Sequence, residues 1–195
     1  ILFTGAADAM RRIIIPLLKD KVPGDGKGLR FLEIGAGTGR LTKFMKMAYP
    51  KAQITVLEPS EAYMKKTQNH LEKYVGVNYI QGFGENLPFK EDTFDVVYSC
   101  FLFHEVPMLV RKKILGESHR VLKAGGLMGF VDSLQLGDDE VLDWSLQQFP
   151  KDFHEPFYTD YIKNPMEELL HKSGFTAPAA EARGFFSKAL LAEKT

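Results

Sequence analysis

The sequence predicts an α/β fold with a doubly wound, mostly parallel sheet, and three observations carry that prediction. A short apolar run, Phe31-Leu32-Glu33-Ile34, meets the turn Gly35-Ala36-Gly37-Thr38-Gly39 and opens into a helical pattern with Leu41, Phe44, Met45 and Ala48 on one face. A second apolar strand, Ile54-Thr55-Val56-Leu57, follows and ends on Glu58, 23 residues after Gly35. Further strand-like runs at 77–80, 94–100 and 127–131 then alternate with helical stretches, the pattern of successive βαβ units.

The elements follow in order. Residues 4–20 place Met10, Ile13, Ile14, Leu17 and Leu18 at helical spacing, which predicts an amphipathic helix kinked near Pro16. Glycine-rich 22–28 breaks all regularity and reads as a loop rather than a phosphate cradle. Pro50 stops the first crossover helix, and Ser60 is the expected N-cap of the next, whose Met64 and Leu71 face the sheet. From Pro107 a helix carrying Leu109, Val110, Ile114, Leu115, Val121 and Leu122 is expected to run to Gly125-Gly126. Its Arg111, Lys112 and Lys113 read as a solvated face. Asp138, Asp139 and Glu140 fit the first turn of another helix, where the dipole favours negative charge, with a metal site as the rival reading. Residues 149–161 are dense in Phe, Tyr, His and Pro without clear periodicity, and in an α/β domain such a stretch is more often a binding element than filler. Asn164-Pro165 marks the last helix start, Gly174 its end, and strands around 179–183 and 186–192 close the chain.

The glycine turn directs the function. Without a Cβ, glycine takes positive φ and lets a ligand reach the backbone, while the following helix presents unpaired amides. Strand, glycine turn and helix start together make a nucleotide-binding loop. A dinucleotide fingerprint needs its last glycine where this chain has Arg40, so an NAD-dependent oxidoreductase is disfavoured. A carboxylate some 20 residues beyond the glycines, here Glu58, is placed to accept ribose hydroxyls.

Four ordered motifs carry a resemblance: 32–39 with Glu58-Pro59-Ser60, then Glu85-Asn86-Leu87-Pro88-Phe89, then Phe94-Asp95-Val96-Val97-Tyr98, and Arg120-Val121-Leu122-Lys123-Ala124-Gly125-Gly126. From about residue 29 onward the chain resembles class I, Rossmann-like S-adenosylmethionine-dependent methyltransferases, nearest the small-molecule branch that includes quinone-biosynthesis enzymes. That resemblance implies a seven-stranded sheet with an antiparallel C-terminal strand, an initial helix over the cofactor (here with Phe3 and Met10), S-adenosylmethionine as donor and S-adenosylhomocysteine as product. It implies a cofactor site of Glu33, Gly35, Ala36, Gly37, Glu58, Pro59, Phe83, Gly84, Glu85 and Cys100. The chain departs at Phe83, where many relatives carry an aspartate that accepts from the adenine amino group. Backbone amides of Phe83 or Gly84, the Phe83 ring and Glu85 are the expected substitutes.

Methyl transfer needs alignment more than donor activation, since the sulfonium is already electrophilic. A hydroxyl or acidic carbon must also lose a proton, and histidine is the natural acceptor. His104, in the loop beyond the fourth strand, is the first candidate and His154 the second, with a structural histidine as the competing reading of each. Neither continues as His-Glu-x-x-His, because Met108 and Tyr158 occupy the required positions, so a zinc hydrolase is disfavoured and no metal is expected. The favoured function is O- or C-methylation of a small, largely apolar acceptor; the alternative is a non-catalytic cofactor-binding or scaffold protein.

With 25 basic and 25 acidic side chains the formal charge is zero, which gives no general attraction to nucleic acid. No apolar run reaches the ~18 residues of a membrane span, nothing resembles a signal peptide, and the lone Cys100 forbids an internal disulfide. The expectation is one domain over 1–195, with a helix and loop at 1–28 and a core at 29–195, in the cytoplasm or another soluble reducing compartment. The start at Ile1 rather than Met suggests a trimmed N-terminus, and the sequence leaves the oligomeric state open.

Overall fold

The computed structural model describes residues 2–178 and 180–195, with side chains from residue 5 onward except at Ala180. Seven strands form one sheet: β1 (Arg30–Ile34), β2 (Gln53–Glu58), β3 (Val77–Gln81), β4 (Phe94–Cys100), β5 (Leu122–Ser133), β6 (Ala180–Gly184) and β7 (Ser187–Glu193). Their order is β3-β2-β1-β4-β5-β7-β6. Strands β3 to β5 pair in parallel, and β7 runs antiparallel to both its neighbours. The chain leaves β1 toward one edge and returns at β4 on its other side. A crevice therefore opens at the carboxyl ends of β1 and β4, where open α/β sheets bind ligands.

Helices cover both faces, because each parallel strand is apolar on both sides and must be buried on both. On one face α2 (Ile14–Lys21), α3 (Arg40–Ala48) and α4 (Glu61–Leu71) cover a core containing Ile14, Leu18, Phe31, Met45, Val56 and Tyr98, and α1 (Leu2–Arg12) packs against α3. On the other, α5 (Met108–Val121), α6 (Asp143–Asp152), α7 (Tyr158–Lys163) and α8 (Met166–Lys172) cover Leu32, Ile34, Val97, Phe103, Phe130 and Tyr161. Strand alternation decides the face: Phe31 and Glu33 of β1 point one way, Leu32 and Ile34 the other. Ser60 caps α4 as expected, accepting from the Tyr63 amide at 3.3 Å.

Several local expectations are corrected. The first helix breaks at Ile13, not at Pro16: Pro16 sits in the first turn of α2, where its missing N–H costs nothing. Helix α5 ends at Val121, and the chain enters β5 directly at Leu122, so Gly125 and Gly126 lie within a strand rather than at a helix end. Asp138, Asp139 and Glu140 precede α6 instead of opening it. Asp143 is the first-turn acid, and Asp138 pairs with the buried Lys188 at 3.0 Å. Arg111 is fully buried, unlike its exposed neighbours Lys112 and Lys113. Its guanidinium donates to the Phe103 carbonyl (2.7 Å), Asp160 (2.7 Å) and the Phe157 carbonyl (2.9 Å). One buried cation thus ties α5, the loop after β4 and α7 together. The aromatic stretch is not all loop: it includes the end of α6 and the start of α7. The side chain of Phe3 and residue Ala179 lie outside the described residues.

Candidate active site

The glycine loop is held from two sides. Thr67 of α4 donates to the Gly37 carbonyl at 2.7 Å, and His70 Nδ1 lies 3.0 Å from the Thr38 carbonyl. The buried Glu58 carboxylate accepts the Gly37 amide at 2.8 Å through one oxygen and the Ser60 amide at 3.0 Å through the other. A carboxylate has roughly four acceptor positions, so two amides leave capacity for two ribose hydroxyls. The glycines serve different ends. A Cβ at Gly39 would stand 2.7 Å from Thr67 Cγ2, so that glycine lets α3 approach α4; a Cβ at Gly37 would meet nothing within 4 Å. The space beside Gly37 is a cradle that a side chain would fill, which fits a ligand backbone lying against the loop.

Glu33 sits beneath the loop, buried, and accepts from Thr42 Oγ1 at 2.5 Å. Burial pushes its carboxyl up to about 7, against the pull of the Thr42 bond. An approaching ammonium would restore its charge, so Glu33 fits the amino end of the cofactor. Gln81 Nε2 donates to the Pro59 carbonyl at 3.0 Å, drawing the loop after β3 toward Glu58. Phe83 is exposed there and Glu85 half-buried, while Gly84 is buried with its Cα against Ile34, where a Cβ would meet Cγ2 at 2.6 Å. Ala36 is half-buried beside Gly35 and Gly37, and Pro59 is exposed. Cys100 ends β4, and burial pushes its thiol up, so it stays protonated. We expect Glu58→Ala to weaken S-adenosylhomocysteine binding roughly 10- to 150-fold, the effect of losing about 1.5 to 3 kcal/mol of bonding to a charged group. Calorimetry on the folded variant checks this, and unchanged affinity would contradict it.

Beyond β4 a 3-10 turn, Phe103–Glu105, carries His104 to the floor of a cavity of about 790 Å³. Its Nδ1 lies 2.5 Å from Asp132 Oδ1, at the end of β5. Asp132 is itself fixed, because its carboxylate also accepts the Phe103 amide (2.8 Å) and the Ser133 amide (2.7 Å). With Nδ1–H donating to Asp132, Nε2 carries the free lone pair. The neighbouring acids set the ionisation. Burial lowers the His104 pKa, but the Asp132 carboxylate and, more weakly, Glu105 and Glu155 outweigh it, and the net shift is upward from 6.5. Ligand atoms of His104, Glu105 and Glu155 lie within 4.8 Å of one another, a grouping that the sequence spacing did not indicate.

The rest of the cavity is chiefly apolar, with Met10, Phe101, Trp144, Phe149, Phe153 and Phe186 on its wall. Met10 arrives on α1, which Asp8 anchors to Arg40 at 2.6 Å, immediately after the glycine loop. Arg11 adds a contact over the Phe101 ring, 5.2 Å from its centroid. Of the two candidate histidines, His104 faces the cavity; His154 is exposed and lines a separate surface depression. Of the aromatic stretch, Phe149, Phe153 and Tyr158 reach the wall, whereas Tyr161 is buried beneath it. Sequence reasoning missed Asp132, Trp144 and Phe186. Asp132 alone had a usable signal: it ends the strand that neighbours His104's own.

Residues 31–126 match the family described as methyltransferase domain. A malonyl-[acyl-carrier protein] O-methyltransferase from Methylococcus capsulatus is 25% identical over 154 residues, covering 79% of this chain and 54% of that protein. A ubiquinone/menaquinone biosynthesis C-methyltransferase from Psychromonas ingrahamii is 34% identical over 107 residues, covering 53% of this chain and 42% of the relative. The chain thus spans about half the length of these curated relatives. Among solved structures, an S-adenosylmethionine-dependent methyltransferase from Aquifex aeolicus superposes with a TM-score of 0.67 at 17% identity, covering 95% of this chain and 92% of that one, which shows the shared fold. The matching stretch spans the glycine loop, Glu58 and His104, and over it this chain is similar to methyltransferases.

Proposed function

We propose that this chain transfers a methyl group from S-adenosylmethionine to a small, largely apolar acceptor, by O- or C-methylation. The observation that carries the proposal is the His104–Asp132 pair at the floor of the apolar cavity, beyond the carboxyl end of β4. The bound cofactor supplies an electrophilic methyl group, and the protein's tasks are alignment and proton removal. Gly37, Glu58 and Glu33 would hold the donor along the glycine loop. Met10 and the wall residues of 149–158 exclude water and orient the acceptor, and Nε2 of neutral His104 accepts its proton. Asp132 keeps the imidazole in the tautomer that can do so. Among the described residues no helix is long and apolar enough to cross a membrane.

The acceptor can be found by incubating cell extract with the chain and a methyl-labelled donor and identifying the labelled product by mass. Hydrogen exchange in the presence of S-adenosylhomocysteine and that acceptor should then show added protection in α1 and across 149–161. Protection confined to 31–60 would count against the cavity as the acceptor site.

A further inference from the structure

The cavity sets aromatic rings beside a few polar groups. Aromatic rings of Trp144, Phe149, Phe153 and Phe186 form much of the wall, whereas Ser133 and Tyr158 place their hydroxyl oxygens 2.6 Å apart. Both residues are nearly buried, one at the end of β5 and the other at the start of α7. Two hydroxyls own two O–H donors, and the bond between them uses one. Tyr161 does not take the second, since its hydroxyl donates to the Ser133 carbonyl at 2.9 Å and thereby fixes the strand end. Among the described residues no other acceptor engages the pair. One O–H is left for a third partner, on residues that line the cavity beside His104, whose ring centroid is 5.9 Å from that of Tyr158.

We propose that the Tyr158–Ser133 hydroxyl pair donates a hydrogen bond to an oxyanion of the acceptor, and that the acceptor is a phenol or enol. The proposal rests on the cavity being the acceptor site. Nε2 of His104 takes the acceptor's hydroxyl proton: an O–H bond breaks, an N–H bond forms, and the charge left on oxygen meets the waiting O–H donor. A donor is needed because Asp132, Glu105 and Glu155 favour the imidazolium but repel the new anion. A donor already held in place costs no reorganisation when charge develops. Burial, together with Asp132 and Glu155, pushes the Tyr158 phenol up, so it remains a donor throughout.

The test uses 4-nitrophenol as probe, with its phenolate absorbance followed against pH on the chain saturated with S-adenosylhomocysteine. 4-Nitroanisole, which cannot ionise, reports the cavity itself. Phenolate should bind wild type about tenfold or more tightly than phenol, seen as a lowered apparent pKa of the bound probe. Tyr158→Phe and Ser133→Ala each leave one hydroxyl and should lose part of this preference. The double variant should lose about tenfold or more while its affinity for 4-nitroanisole stays within about twofold. An unshifted probe in wild type overturns the proposal without recourse to any variant, as does a double variant with the wild-type shift. If neither probe binds wild type, the reading of the cavity as a site for such acceptors falls, and this proposal with it.

Discussion

Replacing His104 with alanine is expected to lower the methyl-transfer rate by about 10²- to 10⁴-fold, the range for loss of a positioned general base, while leaving cofactor affinity nearly unchanged. The separation follows from geometry: His104 lines the cavity, whereas the glycine loop is held by Glu58, Thr67 and His70. The pH dependence gives a second signature. Because the folded-state pKa of His104 lies above 6.5, its basic form grows in as pH rises through that higher value, and the wild-type rate should climb there. Stability moves the opposite way. A histidine whose pKa is raised on folding contributes stability that is fully present below its unfolded value near 6.5 and is lost as pH rises through the folded value. Both limbs should vanish in His104→Ala. A purely structural histidine would instead lower melting temperature and cofactor binding together. A variant that kept most of its single-turnover rate and the same pH dependence would place the base elsewhere or show that the acceptor needs none.

Gly37→Val is expected to abolish S-adenosylhomocysteine binding in a chain that still folds. A Cβ at Gly37 meets no protein atom within 4 Å, so the side chain enters the space assigned to the ligand and not the core. Its backbone sits at φ +56°, which costs a β-branched residue some strain and should lower the melting temperature. The contrast is Gly39→Val, which drives a side chain into Thr67 and should damage the packing of α3 on α4 itself. Wild-type affinity in a folded Gly37→Val variant would mean that the loop does not touch the cofactor.

The sheet and the glycine loop were legible because they depend on local signals: apolar runs, glycine spacing, and an acid at a strand end. The strand number and the antiparallel C-terminal strand came with the resemblance to a family rather than from the pattern of residues, and the strand order emerged only from the structure. Arg111 shows where local reading stops. In sequence it heads a basic run, yet α5 turns it toward the sheet, where backbone carbonyls and Asp160 satisfy a guanidinium that the loop after β4 requires. The His104–Asp132 pair was half legible, since the topology rule located His104, but its partner lies 28 residues on and meets it only because β4 and β5 are neighbours. Trp144 and Phe186 carried no signal at all. Their place on the cavity wall depends on how α6 and the β6–β7 turn pack, which no local period encodes.

Calorimetric titration of the wild-type chain with S-adenosylhomocysteine and, separately, with NAD tests the central claim most directly. Saturable binding of S-adenosylhomocysteine at one site, with no measurable heat from NAD, is the predicted result. Binding of NAD in place of S-adenosylhomocysteine would contradict the assignment of the glycine loop, and with it the chemistry proposed for His104.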